Sequence, residues 1–150
     1  KQLRMFRSTI RSYESKSNTM NREKLVELYK KYDLQKDDVY KHQHYVIITR
    51  QGIEKIQAKE NITITYEVVK CETNFAVFKA KAFISSKPDT VLETFGSALK
   101  AANYKDGNCN SWYVAEMAEK RALSRAVLKL TGFYELGVFG EDESEDFKKK

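Results

Sequence analysis

The sequence contains only one proline, two cysteines and six glycines in 150 residues, and these low counts exclude several classes of protein. Cys71 and Cys109 are too few and too far apart for the disulfide framework of a small secreted domain, so a cytosolic compartment is the simpler expectation. No apolar run approaches the length needed to cross a membrane. The glycines form neither a Walker-type phosphate loop nor a dinucleotide-binding fingerprint.

The sequence also lacks a recognisable set of catalytic or metal-binding residues. His42 and His44 share one side of a possible strand, but no second cluster supplies further metal ligands. The acidic residues form no spaced motif that resembles a nuclease, and the two cysteines are better explained as buried or incidental residues. We therefore predict a protein that is not an enzyme and has no catalytic residue, metal site or cofactor.

Basic residues are what the sequence has in excess, with 27 lysines and arginines against 21 acidic residues and a net charge of +6. The excess is larger before residue 141, where 24 basic and 16 acidic residues give a net charge of +8. A basic chain with an acidic end suggests a nucleic-acid partner, although many basic proteins bind none.

Composition divides the chain into three parts. Residues 19–140 fit a single globular domain, because 41% of the sequence is hydrophobic. Residues 1–18 are polar and basic and fit either a mobile arm or a short amphipathic helix that contacts a neighbouring subunit. The apolar residues at helical spacing in this segment are Leu3, Phe6, Ile10 and Tyr13. Residues 141–150 form a charged tail that we expect to be disordered and dispensable for stability.

The hydrophobic pattern predicts an α+β fold. Helical spacing predicts an N-terminal helix over Asn21–Asp33 and a short helix over Arg50–Glu60. Apolar or alternating residues predict strands over Tyr45–Thr49, Ile62–Val69, Phe75–Ile84 and Thr90–Ala98. Because the last three strands are joined by short turns, we expect an antiparallel meander whose apolar face is covered by a long C-terminal helix, a β-β-β-α core.

That long helix is predicted over Trp112–Gly132, with Ser111 as its N-cap and Gly132 as its C-terminal stop. Its apolar face is predicted to include Trp112 and an alanine ladder, which allows close packing against a sheet. The ladder consists of Ala118, Ala122 and Ala126. A basic stripe beside the ladder recurs at the same spacing and consists of Arg121, Arg125 and Lys129. It is a polyanion site, a solvated helix face or a set of salt bridges to buried acids such as Glu119. Because the stripe lies beside the ladder, we expect that replacing Arg121 and Arg125 spares the core, whereas salt bridges to buried acids would make the double variant unfold or dissociate.

The strand Phe75–Ile84 has a second mixed pattern. Lys79 and Lys81 alternate with apolar residues on the face opposite the predicted core. This face fits single-stranded nucleic acid, because lysines reach phosphates while apolar side chains contact bases. It fits equally well a solvent-facing surface whose lysines discourage aggregation.

Two segments resemble Rad-fifty-two-like single-strand annealing proteins and their phage and archaeal relatives. Ala115–Phe133, AEMAEKRALSRAVLKLTGF, contains the alanine–glutamate–x–arginine–alanine run, the second arginine–alanine pair and the glycine–aromatic end of that family's signature helix. Tyr45–Ile56, YVIITRQGIEKI, resembles the strand and short helix of the same group.

The resemblance implies subunits that assemble side by side into rings or helical arcs and anneal single-stranded DNA during recombination and repair. It implies that Lys120, Arg121 and Arg125 contact the DNA backbone, with Arg50 as a further contact, although many relatives have threonine at the position of Lys120. The helix and strand patterns, rather than the resemblance, add three further candidate binding residues, which are Lys129, Lys79 and Lys81. A single-strand-binding protein or a recombinase is a candidate partner, and the expected location is the cytoplasm of a bacterial or phage-infected cell.

Two other functions fit the same residues. A monomeric module could bind single-stranded nucleic acid without annealing it, or a small nuclease could use scattered acids with a divalent metal. If the protein binds single-stranded nucleic acid, with or without annealing, the acidic tail could compete with DNA for the basic groove or contact a partner.

Overall fold

A computed structural model describes residues 20–43, 45–102 and 106–146 of the chain. The interpretation of residues 1–18 as an arm or amphipathic helix lies outside these described residues, and so does His44. None of the helices in the described residues is long and apolar enough to cross a membrane.

The main sheet is an antiparallel meander of three strands in the order β3-β4-β5. These strands are β3 (Ile62–Cys71), β4 (Phe75–Ile84) and β5 (Leu92–Leu99). The register aligns Tyr66 of β3 with Ala80 of β4 and Thr94 of β5 on one face. Small buried side chains cover that face of β4, as the alternation in the sequence predicts.

The long helix α3 (Val114–Thr131) packs on this face, which confirms the predicted α+β fold with a β-β-β-α core. The predicted alanine ladder is fully buried. Gly96 of β5 permits the close approach, because a Cβ atom at this position would clash with the backbone of Ala118 and Ala122. Gly132 ends the helix in the left-handed conformation, with a φ of 87°, as predicted.

The start of α3 differs from the prediction. The helix begins at Val114, and the Ser111 hydroxyl accepts a hydrogen bond from the backbone N–H of Tyr113 at 3.1 Å, before the helix starts. Ser111 is therefore not the N-cap. Trp112 does not join the apolar face either, and its side chain is 65% exposed, because it precedes the helical part of the chain.

A second, smaller sheet has the order β1-β2-β6. Its strands are β1 (Val39–His42), β2 (Tyr45–Ile48) and β6 (Val138–Gly140). The pairing of β2 with β6 is parallel and joins residues far apart in the chain. The hydrophobic pattern predicts β2. It indicates only a polar connection over residues 34–41, where β1 begins, and no strand after α3, where β6 lies.

Two further helices flank the sheets. Helix α1 includes residues 20–31, so it begins one residue before and ends two residues before the predicted N-terminal helix, and α2 (Arg50–Glu60) has the predicted bounds. Just after α1, the Tyr32 hydroxyl donates to Glu60 Oε1 at 2.5 Å, which connects the two helices.

The acidic end of the chain is ordered in part, contrary to the expectation of disorder. Residues Glu141–Asp146, hereafter the acidic turn, form a 3-10 helix directly after β6. Glu143 is only 5% exposed. Arginines from α2 and α3 surround this segment, and their charges offset the cost of burying a carboxylate.

Candidate nucleic-acid interface

Arg121 is buried, so its predicted place on an exposed basic stripe is wrong. The residue is 3% exposed, and its guanidinium donates to three backbone carbonyl oxygens. The distances are 2.7 Å to Ser97, 2.6 Å to Asn108 and 3.1 Å to Asp142. The close approach of α3 to β5 brings these carbonyls around the arginine, and the guanidinium has enough donors for all of them. Replacing Arg121 would therefore not spare the core.

Arg125 is half-buried one turn further along α3. Its Nη1 donates to the carbonyl oxygen of Phe95 at 2.8 Å, and its Nε lies 3.5 Å from Glu143 Oε1. Four residues of helix rise about 6 Å, and two residues of strand rise about 6.6 Å. The spacing of Arg121 and Arg125 therefore matches alternate carbonyl groups, those of Ser97 and Phe95, along the outer edge of β5.

Arg50, the first residue of α2, reaches the acidic turn from the other side. Its Nη1 lies 3.7 Å from Asp142 Oδ2, and its backbone N–H donates to Glu141 Oε2 at 3.1 Å. Its Nε also lies 3.4 Å from Glu54 Oε1 within α2. A helix N-terminus favours negative charge, and this adds to the attraction between α2 and the acidic turn.

Arg50, Arg121 and Arg125 thus surround Asp142 and Glu143, and we call these three arginines the arginine cluster. Asp142 Oδ2 also accepts a hydrogen bond from the Ser124 hydroxyl at 3.1 Å. The contacts of Arg50 Nη1 and Arg125 Nε with these acids are ion pairs that lack hydrogen-bond geometry. The arginine side chains are partly exposed, but Glu143 is buried and the Asp142 side chain is 13% exposed, so another anion could replace these carboxylates only if the acidic turn moved away.

Tyr66 of β3 lies near the same surface. Partial burial and, to a lesser extent, the charge of Glu119 together raise the pKa of Tyr66 to about 12, against the opposing charge of Arg50.

Two lysines of α3 lie outside the arginine cluster. Lys120 is partly exposed, and helical geometry places it opposite the side where Ala118 and Ala122 meet the sheet. Lys129 is exposed in the last turn, with its Nζ 5.2 Å from the centre of the Tyr134 ring. A cation there is also favourable for the helix dipole, so Lys129 stabilises the helix end whether or not it binds an anion.

Lys79 and Lys81 lie on the sheet face opposite α3, as the alternation of β4 predicts, and the fold does not bring them to the arginine cluster. Both pair with Glu93 of β5, at 3.0 Å and 3.8 Å. The hydrogen bond between Lys79 and Glu93 raises the pKa of the lysine and lowers the pKa of the carboxyl group. The acidic partner offsets much of the positive charge on this face.

An exposed aromatic pair was missed by the sequence reasoning. Trp112 and Tyr113 are 65% and 71% exposed at the start of α3, and Lys100 Nζ lies 5.4 Å from the centre of the Trp112 ring. The predicted helix began too early and placed Trp112 on the buried face. A helix start after Tyr113 would have taken both rings out of that face.

Within the described ranges, no group of three or more histidine, cysteine, aspartate or glutamate side chains could hold a metal ion. Comparison with models of protein families, with curated proteins and with solved structures finds no match to this chain. A functional interpretation therefore depends on the residues described above and on the two motifs that resemble annealing proteins.

Proposed function

We propose that this chain binds single-stranded DNA and anneals complementary strands as a homo-oligomer of the Rad-fifty-two-like kind. The observation that carries the proposal is the meeting of Arg50 and Arg125 at one anionic segment. One arginine comes from each of the two motifs that resemble annealing proteins, and the motifs are distant in sequence. The fold brings both arginines to the same acidic turn, which supports a shared binding surface for an anion.

The chemistry of this surface suits phosphate. A guanidinium group binds carboxylate and phosphate oxygens with the same planar set of donors, and both side chains are partly exposed. Annealing requires no bond to be made or broken, only that repulsion between two phosphate backbones be reduced. The carboxylates of Asp142 and Glu143 occupy the positions that we propose for phosphates.

The two edges of the main sheet differ in a way that supports side-by-side assembly. On β5, the carbonyl groups of Phe95, Ser97 and Leu99 accept hydrogen bonds from Arg125, Arg121 and residues 108–109. On β3, residues 65–71 are exposed, including Val68 and Val69, which are 57% and 54% exposed. The exposed β3 edge is therefore our candidate contact between subunits.

Oligomerisation would strengthen weak contacts. A few arginines and lysines per subunit bind one strand weakly, but a ring or arc repeats the same contacts along that strand. Such a protein would act in the cytoplasm of a bacterial or phage-infected cell, with a single-strand-binding protein or a recombinase as a candidate partner.

The test is to measure binding of a labelled single-stranded oligonucleotide at several salt concentrations for the unaltered chain and for Arg50→Gln. We expect Arg50→Gln to weaken binding and to flatten the slope of log affinity against log salt by about 0.7 for each phosphate that the variant no longer neutralises. Lys59→Gln is the matched control, because it removes the same charge from an exposed position at the other end of α2.

Three further measurements distinguish annealing from its alternatives. Mixing complementary strands should give faster duplex formation with the protein than without it, and light scattering should show a particle larger than one subunit. A strict monomer that binds without annealing would support a simple binding module. Cleavage of labelled strands in magnesium or manganese would support a nuclease. Failure to bind single strands would overturn the proposal.

A further inference from the structure

We infer that Trp112 and Tyr113 form a stacking site for an unpaired base of single-stranded nucleic acid. The inference rests on the proposed function and names a contact of that function outside the arginine cluster. In the described residues, these are the two most exposed large hydrophobic side chains, at 65% and 71%. Aromatic rings are the side chains on which proteins stack unpaired bases, because every base has a flat π-face.

The backbone that carries the two rings is held in place. The Ser111 hydroxyl accepts from Tyr113 N–H at 3.1 Å, and Tyr113 C=O accepts from Met117 N–H at 3.1 Å. Cys109, which is 4% exposed, donates through its thiol to the carbonyl oxygen of Ser111 at 3.2 Å. A base would therefore meet rings whose backbone is already ordered, and this reduces the entropy lost on binding.

A positive charge lies beside the rings. Lys100 Nζ is 5.4 Å from the centre of the Trp112 ring, and the backbone N–H of Lys100 donates to the carbonyl oxygen of Asn74 at 2.7 Å. A nucleotide whose base stacks on the indole has its phosphate one sugar away. The ammonium of Lys100 is placed to pair with that phosphate, and this combination of ring and cation favours a nucleic acid over an apolar peptide.

The aromatic pair is aligned with the proposed phosphate contacts. Tyr113 lies directly before α3, and Lys120 and Ser124 lie four residues apart on the side of the helix away from the sheet. Ser124 bonds to Asp142, which pairs with Arg50. Residues 113 to 124 span about 16 Å, so a strand could run from the aromatic rings past Lys120 and reach the arginine cluster once the acidic turn, which covers buried Ser124, is displaced.

The two ends of this path differ in charge. Glu116 and Glu119 are exposed along the first half of α3, so the aromatic end has less excess positive charge than the arginine end. Binding at the aromatic end must then depend on stacking, which is insensitive to salt. Binding at the arginine end depends on phosphate charge and should weaken as salt rises.

Trp112 is the only tryptophan in the chain, so its fluorescence reports on this site alone. We titrate the full chain with oligothymidine and record tryptophan emission and DNA anisotropy together. The expected result is quenching of Trp112 that saturates at the same oligonucleotide concentration as the anisotropy. Trp112→Ala and Tyr113→Ala should each weaken binding about tenfold without changing the salt slope, whereas Trp112→Phe should retain most of the affinity.

An abasic strand of equal length provides the matched ligand control. Trp112→Ala should have no effect on its binding, because no base is present to stack. Circular dichroism and the melting temperature should be unchanged in all three variants, since both rings are exposed.

Several results would overturn the inference. If wild-type protein binds oligothymidine while Trp112 emission and the affinities of both alanine variants stay unchanged, the stacking site is wrong and the proposed function stands. A smaller particle for Trp112→Ala would assign the aromatic pair to a subunit contact instead. If the wild-type chain binds no single strand, the inference and the proposed function both fail.

Discussion

Arg121 Nη1 donates a hydrogen bond to the carbonyl oxygen of Ser97 at 2.7 Å, so a charged side chain of α3 supplies a donor to the outer edge of β5. Two more backbone carbonyls accept from the same guanidinium. The sequence motif suggests that Arg121 contacts DNA, but in the structure Arg121 stabilises the fold. Stability and binding must be measured separately for each arginine of the cluster.

We expect Arg121→Ala to lower the free energy of unfolding by about 3 kcal/mol or more, because it leaves buried carbonyl oxygens without donors. Urea denaturation measures this change. Arg125→Ala, at a half-buried position with one hydrogen bond to a carbonyl, should cost about 1 kcal/mol. Equal stabilities of the two variants would contradict the assignment of Arg121 to the core.

The acidic turn should compete with DNA for the arginine cluster. We expect the double variant Asp142→Asn, Glu143→Gln to bind single strands more tightly at low salt, because Arg50 and Arg125 lose their carboxylate partners. Asp89→Asn, in the turn between β4 and β5, is the single-charge control, and it should change binding less than Asp142→Asn does alone. Unchanged or weaker binding of the double variant would count against competition.

Deleting residues 141–150 is expected to lower the melting temperature, contrary to the expectation from composition. The acidic turn supplies the carbonyl oxygen of Asp142 to Arg121 and the carboxylate of Asp142 to Ser124. Differential scanning calorimetry measures the change. Deleting residues 147–150 alone removes three lysines but leaves the turn intact, and is the matched control.

Gly96→Ala should destabilise the fold by about 1–3 kcal/mol, because the new methyl group would meet the backbone of α3. A main-chain obstacle cannot move aside as a flexible side chain can. Ser97→Ala, at the exposed neighbouring position, is the control and should change stability little. Thermal unfolding of both variants checks this prediction, and a Gly96→Ala protein as stable as wild type would exclude the close contact.

Glu60 should make stability depend on pH in the acid range. Hydrogen bonds from Tyr32 and Lys31 lower the pKa of Glu60 below its ordinary value of 4.5. The carboxylate therefore stabilises the fold above pH 4.5, and this contribution is lost as the pH falls through the lowered pKa. Wild type should exceed Glu60→Gln in stability at neutral pH, with a difference that shrinks in acid. Glu27→Gln, at an exposed position, is the control variant.

The main sheet and α3 could be predicted because their residues follow regular periods. Residues Ala76, Ala80 and Ala82 alternate along β4, and Ala118, Ala122 and Ala126 recur along α3. Each of these patterns depends on local geometry and one buried face. Gly96 could also be predicted as a close-approach point, because a glycine within an alternating strand often marks a bulge or the close approach of another backbone.

The second sheet and the arrangement of the candidate site could not be predicted in this way. Strand β6 has three residues, too few to show a period, and it pairs with β2 from far along the chain. The burial of Arg121 depends on carbonyl groups of β5, a loop and the acidic turn, which only the tertiary fold brings together. Spacing along one helix shows which side chains are neighbours, but not what covers them.

The parallel pairing of Val46 with Val138 constrains the order in which parts of the polypeptide can fold during synthesis on the ribosome. The β1–β2 hairpin and the three-stranded meander are both complete in sequence before α3 is synthesised. Strand β2, with fully buried Ile47 and Ile48, must wait until residues 138–140 are synthesised before its second neighbour exists. During that interval an apolar strand edge is open to other nascent chains, and a truncation before Val138 would make this aggregation hazard permanent.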